Sequence, residues 1–186
     1  MDAPAFLSGQ FLLAMPGIGD PRFDKAVIAM CVHDEAGALG IGLGRVVPRL
    51  GFHDLLGQLG IEPGAAPNAP IHLGGPVEPQ RGFVIHSLDW GGSESVQVGD
   101  RWALSATIDV LKAIAEGKGP SRWVAALGYA GWGPGQLEQE MARHGWFVTP
   151  GTDELLYECD VDARWAAAFN GAGVDCRLLT TEFGTA

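Results

Sequence analysis

Two short segments of this chain carry residues whose types and spacing could do chemistry. The first is Gly74-Gly75-Pro76-Val77-Glu78, followed by Arg81-Gly82-Phe83-Val84-Ile85-His86. Its glycines allow positive φ, Pro76 stiffens the turn, and the next strand carries Arg81 and His86. The second is Gly128-Tyr129-Ala130-Gly131-Trp132-Gly133-Pro134-Gly135-Gln136-Leu137-Glu138-Gln139-Glu140. Here a strand is expected to end in a corner bearing Tyr129 and Trp132. A helix then starts near Pro134, with Gly135 and Gln136 in its first turn, where free backbone N–H groups can receive an anion. If the segments converge, Arg81 and the helix start hold a small anion, and His86 serves as acid or base. The competing expectation is a purely structural corner, with Trp132 in the core and Glu138 and Glu140 satisfying the helix dipole. The candidate ligand or partner site is therefore Gly74, Gly75, Pro76, Arg81, His86, Tyr129, Trp132, Gly135 and Gln136. No catalytic or metal-binding residue is assigned.

Other motifs fail on spacing. Gly40-Ile41-Gly42-Leu43-Gly44 is GxGxG, and Arg45-Val46-Val47-Pro48 follows it where a dinucleotide fingerprint would open a helix. Close packing against a strand explains those glycines better. Gly117 to Ser121 lacks the first glycine and the helix of a phosphate loop. Cys31 and His33 alternate on one expected strand, about 7 Å apart, too far for a nucleophile–base hydrogen bond. No nucleophile elbow, HExxH helix or calcium loop is present. Cys31, Cys159 and Cys176 are widely spaced and odd in number, which reads as buried thiols in a reducing compartment. No cofactor is implied.

The elements that must position these residues follow from periodicity and turn chemistry. Strands are expected at 6–15, 26–33, 38–47, 71–73, 82–88, 95–98, 102–105 and 122–128. A turn cluster at 16–21 follows the first. Helices are expected at 52–59, 107–116, 134–144 and 162–171, with Thr107 capping the second and Gly117 closing it. Residues 147–148 and 154–158 read as short extended or irregular pieces. Strands and helices mix without a regular βαβ rhythm, so the class is α+β.

The whole chain bounds these expectations. Its 186 residues form one domain spanning 1–186, and 28 of them are glycine, about twice the usual share. Tight turns and close backbone approaches must be common. Twelve Lys and Arg against 22 Asp and Glu give a formal charge of −10. That balance disfavours direct nucleic-acid binding and anionic membranes, because both demand clustered basic side chains. Residues 6–15 fail as a signal peptide, with Asp2 in place of a basic start and Gln10 interrupting the apolar run. With no long apolar span, a cytoplasmic protein is expected.

Taken in order, Phe11-Leu12-Leu13-Ala14-Met15-Pro16, Asp20-Pro21-Arg22-Phe23, Gly37-Ala38-Leu39-Gly40, the two segments above and Arg164-Trp165 resemble the YqgE/AlgH family. These are bacterial proteins whose biochemical function is not established and which are sometimes labelled transcriptional regulators. The resemblance covers nearly the whole chain. It implies one α+β domain in which a strongly bent, barrel-like, mainly antiparallel sheet is flanked by helices. Three departures stand out: Val32-His33 replaces the family's Glu-His, Leu43-Gly44-Arg45 replaces an Asn-Arg-Pro element, and the chain ends Gly184-Thr185-Ala186 where the family has Gly-His-Ala. The function expected is a non-enzymatic binding or regulatory module acting through a protein partner or a small anionic ligand. The alternatives are an enzyme on a small anionic substrate and a direct DNA-binding regulator.

Overall fold

The computed structural model describes residues 6–16, 25–92, 94–143 and 145–175. Most of the 16–21 turn, the Asp20 to Phe23 motif, Cys176 and the C-terminal Gly184-Thr185-Ala186 lie outside them. The elements in chain order are β1 (Gln10–Ala14), β2 (Val27–Asp34), β3 (Gly37–Gly42), β4 (Val46–Gly51), α1 (Phe52–Gln58), β5 (Pro70–Leu73), β6 (Val77–Ser87), β7 (Val96–Val98), β8 (Trp102–Ser105), α2 (Ile108–Ala115), β9 (Trp123–Trp132), α3 (Gln136–Ala142) and β10 (Trp146–Pro150). A π-helical turn at Glu154–Glu158 and α4 (Val161–Gly171) complete the chain.

The strands form one curled sheet in the order β10-β1-β2-β3-β9-β6-β8-β7, with β4 and β5 attached beside β9. All pairings are antiparallel except β5 with β9. The two ends of the sheet approach each other. Phe11 of β1 packs on Trp102 of β8 with ring centroids 5.9 Å apart, the Gly151 N–H donates to the Gly9 carbonyl at 3.2 Å, and the Arg101 guanidinium donates to the Gly151 carbonyl. The result is the α+β half-barrel that the family resemblance implied.

Both faces of the sheet are covered, which explains why β2 reads as an unbroken apolar run. Val27, Ala29 and Cys31 point into the barrel with Phe83, Ile85, Trp102 and Phe169. Ile28 and Met30 point outward, under Trp132, Leu137 and Trp146. A third cluster seats α1 and α2 on β5, β6 and β9 through Phe52, Leu56, Val84, Leu111 and Ala125.

Several expected elements change in detail. The glycine strand at 38–47 divides into β3 and β4 around Leu43 to Arg45. Residues 154–158 form a helical turn where a short extended or irregular piece was expected. Thr107 holds the N-cap position of α2 without a side-chain cap bond. β2 bulges between Met30 and Val32, which breaks the simple alternation used for Cys31 and His33. Cys31 faces the barrel interior, and burial raises its thiol to about 12. His33 instead accepts the Leu7 N–H at Nδ1, which leaves Nε2 to donate to Glu138 at 3.3 Å.

Strand β9 does not end at Gly128. It runs on to Trp132, and Gly128 (φ 77°) marks where it changes neighbours. Before that point it lies between β5 and β6; beyond it, Tyr129 still faces Val77 of β6, and from Ala130 onward β9 pairs with β3.

Candidate functional site

The two glycine segments meet in space. Val77 pairs with Tyr129, and the Gly74 N–H donates to the Leu127 carbonyl at 2.8 Å. From its other side the Gly42 N–H donates to the Gly74 carbonyl at 2.7 Å. Three backbones are thereby drawn together with no room for side chains. A Cβ on Gly74 would lie 2.1 Å from the Gly128 oxygen, one on Gly75 2.1 Å from the Tyr129 carbonyl carbon, and one on Gly42 2.6 Å from the Leu73 oxygen. Gly75 also has φ 157°, at the edge of the region that side chains avoid.

Beside this crossing lies a cleft of about 280 Å³. One wall is the start of β2, from Ala26 to Ile28; the other is Leu73 to Pro76 with Pro79, and Ala130 and the Gly42 and Gly44 backbones lie between. Arg45 is the one charged residue among the described lining residues. Leu73, 46% exposed, extends the apolar surface to the rim. The site therefore offers apolar walls and glycine backbone, with Arg45 among its lining residues.

Of the nine candidates, Gly74, Gly75 and Pro76 line this cleft. Arg81 points to solvent, 3.5 Å from Glu78, with its guanidinium over the Phe83 ring. His86 is fully buried opposite Trp123, and Trp132 lies nine residues farther along β9, about 30 Å of strand. Arg81, His86 and the start of α3 therefore do not converge on one small anion.

The second corner uses its polar side chains internally. Trp132 is 8% exposed, so it is a core residue. Its indole N–H donates to Glu140 Oε1 at 3.2 Å, and the Trp146 indole donates to the same oxygen at 3.1 Å. The Gln136 side-chain amide donates to Glu140 Oε2 at 3.3 Å, while its Oε1 accepts the Gly133 N–H at 2.9 Å. The Gln136 backbone N–H is itself used, donating to the Gly133 carbonyl at 3.0 Å. Gly135, at φ 73°, makes the left-handed turn into α3. Tyr129 packs edge-on to Phe83 at 5.6 Å. An anion seated on the Gln136 side chain or its backbone N–H would have to displace bonds already made.

Beneath the cleft a buried arginine fixes the chain. Arg164 of α4 is 3% exposed and uses all five N–H groups. Nε donates to the Leu155 carbonyl, Nη1 to the Leu43 carbonyl and His72 Nε2, and Nη2 to the carbonyls of Leu156 and Cys159. Leu43 sits between the two cleft glycines, so this fork anchors the cleft floor to α4. His72 donates from Nδ1 to the Ala125 carbonyl at 3.2 Å, which fixes Nε2 as the acceptor for Arg164. Burial, then the Arg164 charge, push His72 down to about 4. The sequence marked Arg164 only as a family landmark, and nothing in local spacing links residues 43, 72 and 164.

Among the described residues, no group of three His, Cys, Asp or Glu side chains could hold a metal ion, and no helix is long and apolar enough to cross a membrane.

This half-barrel with its glycine crossing defines a known class. Residues 11–177 match the AlgH-like family, and the chain belongs to it. It is 62% identical, over the full length of both chains, to the UPF0301 protein of Rhizorhabdus wittichii. It is 60% identical to that of Sphingopyxis alaskensis, over 99% of this chain and 98% of the relative. The solution structure of AlgH from Pseudomonas aeruginosa superposes with a TM-score of 0.81 at 36% identity, covering 97% of this chain and 96% of that one. Protein DIP2367 from Corynebacterium diphtheriae shares the fold with a TM-score of 0.77 at 19% identity, over 97% and 95% of the two chains. The name UPF0301 specifies no activity.

Proposed function

We propose that this protein is a small-ligand binding module, and that the cleft beside Gly74, Gly75 and Pro76 is its site. One observation carries the reading: among the nine candidate residues, these three line a cavity, and its walls are apolar. Its size suits a compact ligand, since an apolar cavity of about 150 Å³ accepts benzene. At about 280 Å³ the cleft suits a two-ring aromatic or a short branched chain, and is too narrow for a helix of a partner protein. The positive charge of Arg45, one of the lining residues, favours an anionic end on that apolar body.

A regulatory role in the cytoplasm, exerted by passing ligand occupancy to a partner, belongs to the same proposal. No observation here favours direct contact with DNA, and the −10 charge opposes it.

Native mass spectrometry of the protein as purified, followed by titration with 2-naphthoate, tests the reading. Saturable one-to-one binding is expected, weakened at least about tenfold by Ala26→Phe, which fills the cleft, and by Leu73→Asp, which charges its rim. A folded protein that binds no apolar probe, or binds it equally well in both variants, contradicts the site.

A further inference from the structure

Away from the cleft, the loop after β6 joins a buried imidazole to the surface through two hydroxyls. His86 Nδ1 lies 2.8 Å from the Ser87 carbonyl, which can only accept, so Nδ1 carries the proton and Nε2 is left as an acceptor. Ser105 Oγ, 2.8 Å from Nε2, must then donate to it. Its single proton spent, Ser105 accepts from Ser95 Oγ at 2.6 Å. The Ser95 proton therefore points inward, along a wire that ends on a basic nitrogen. The Gly92 N–H donates to Ser95 Oγ at 3.1 Å, which fixes the orientation of that hydroxyl.

The surroundings fit the same chemistry. Ser105 is buried and Ser95 half-buried, so Ser95 is the residue of the pair nearer to solvent. The Trp90 ring stands edge-on to His86 at 5.4 Å and covers it. Asp89 accepts the Ser87 hydroxyl at 2.6 Å, and its charge favours an imidazolium at His86 against the effect of burial. Base, relay and hydroxyl are thus present in order, drawn from β6, β8 and the approach to β7, with the Asp89 carboxylate acting on His86 only through its charge.

We propose that Ser95 is a nucleophilic serine, activated by His86 through Ser105, and that it acts on carboxylic esters. Ser95 Oγ bonds to the acyl carbon and the alkoxide leaves with the bonding pair. The Ser95 proton passes to Ser105 as the Ser105 proton passes to Nε2. The imidazolium proton returns from Nε2 through Ser105 Oγ to the departing alkoxide, which leaves as the alcohol. Water then attacks the acyl-serine, releasing the acid and restoring the hydroxyl. The exposed Val96, next in the chain, offers apolar surface beside the reacting oxygen.

Treating the full chain with diisopropyl phosphorofluoridate at pH 8 tests this, because the same attack expels fluoride and leaves a permanent adduct. Intact mass and peptide mapping should give one adduct, on Ser95, absent in Ser95→Ala. Ser105→Ala should slow labelling at least about tenfold, as loss of general-base help does, while Ser105→Thr keeps the hydroxyl and retains the labelling. Circular dichroism and thermal melting establish that each variant is folded. A folded wild type that stays unlabelled, an adduct on another residue, or labelling of Ser105→Ala at the wild-type rate overturns the proposal.

Discussion

Two glycine-rich corners stand out in this sequence, and the structure treats them oppositely. At Gly133 to Glu140 the polar side chains turn on one another: two indoles and an amide on one carboxylate, and the Gln136 side chain on the Gly133 amide. At Gly74 to Pro76 the backbones also close on one another, yet the crossing leaves an apolar cleft at its side. Polar and aromatic residues beside a turn look like a binding site, but in the first corner they are how the turn is built. The second, which carries almost no polar side chain, is the one with space.

The most severe way to break the contrast is to remove what underlies the open corner. Arg164→Ala strands the carbonyls of Leu43, Leu155, Leu156 and Cys159 together with His72 Nε2. The expected loss is about 4 kcal/mol of unfolding free energy in urea, with weaker binding of 2-naphthoate because the cleft floor is freed. Arg164→Lys should recover little, since an ammonium has no planar fork.

Acid acts on the same hub through His72. Folded, its value is about 4, against an ordinary 6.5 in the unfolded chain, so the unfolded state takes up its proton first as the pH falls. The stabilisation from neutral His72 is complete above about pH 6.5 and is lost as the pH falls from there toward 4, for a total of about 3 kcal/mol. His86, also held low by burial, adds in the same direction. Urea titrations at pH 7 and 4.5 should show a smaller difference for His72→Asn than for the wild type; equal differences would contradict this assignment.

A smaller effect sharpens the contrast from the other corner. Glu140→Ala leaves the Trp132 and Trp146 indoles without their acceptor, and about 2 kcal/mol should be lost. Binding of 2-naphthoate by the folded fraction should not change. Smaller still is the stability cost of Ala26→Phe, expected at about 1 kcal/mol or less because Ala26 is only half-buried, although it should abolish most of the binding.

Local patterns made most of the fold legible. The unbroken apolar run of β2 announced a strand covered on both faces, and the GxGxG run announced close packing, found where a Gly40 Cβ would meet Ile28 at 2.4 Å. The bent antiparallel barrel came from the family resemblance rather than from periodicity. The site was legible only in part. Gly74 and Gly75 were marked by type, but the opposing wall at Ala26 to Ile28 and Gly42 to Arg45 is brought there by strand pairing across the sheet. Trp132 misled for the converse reason, because its acceptor, Glu140, is eight residues away on the next helix. Ser95 and Ser105 gave no signal, since an isolated serine in a strand or turn has none.

Amide chemical-shift mapping on addition of 2-naphthoate tests most directly which corner binds. Shifts concentrated at Gly42, Gly44, Leu73 to Gly75 and Ala130, and absent in Ala26→Phe, are predicted. Shifts confined to Gly133 through Gln136, with the cleft amides unmoved, would contradict the assignment and return the site to the helix start.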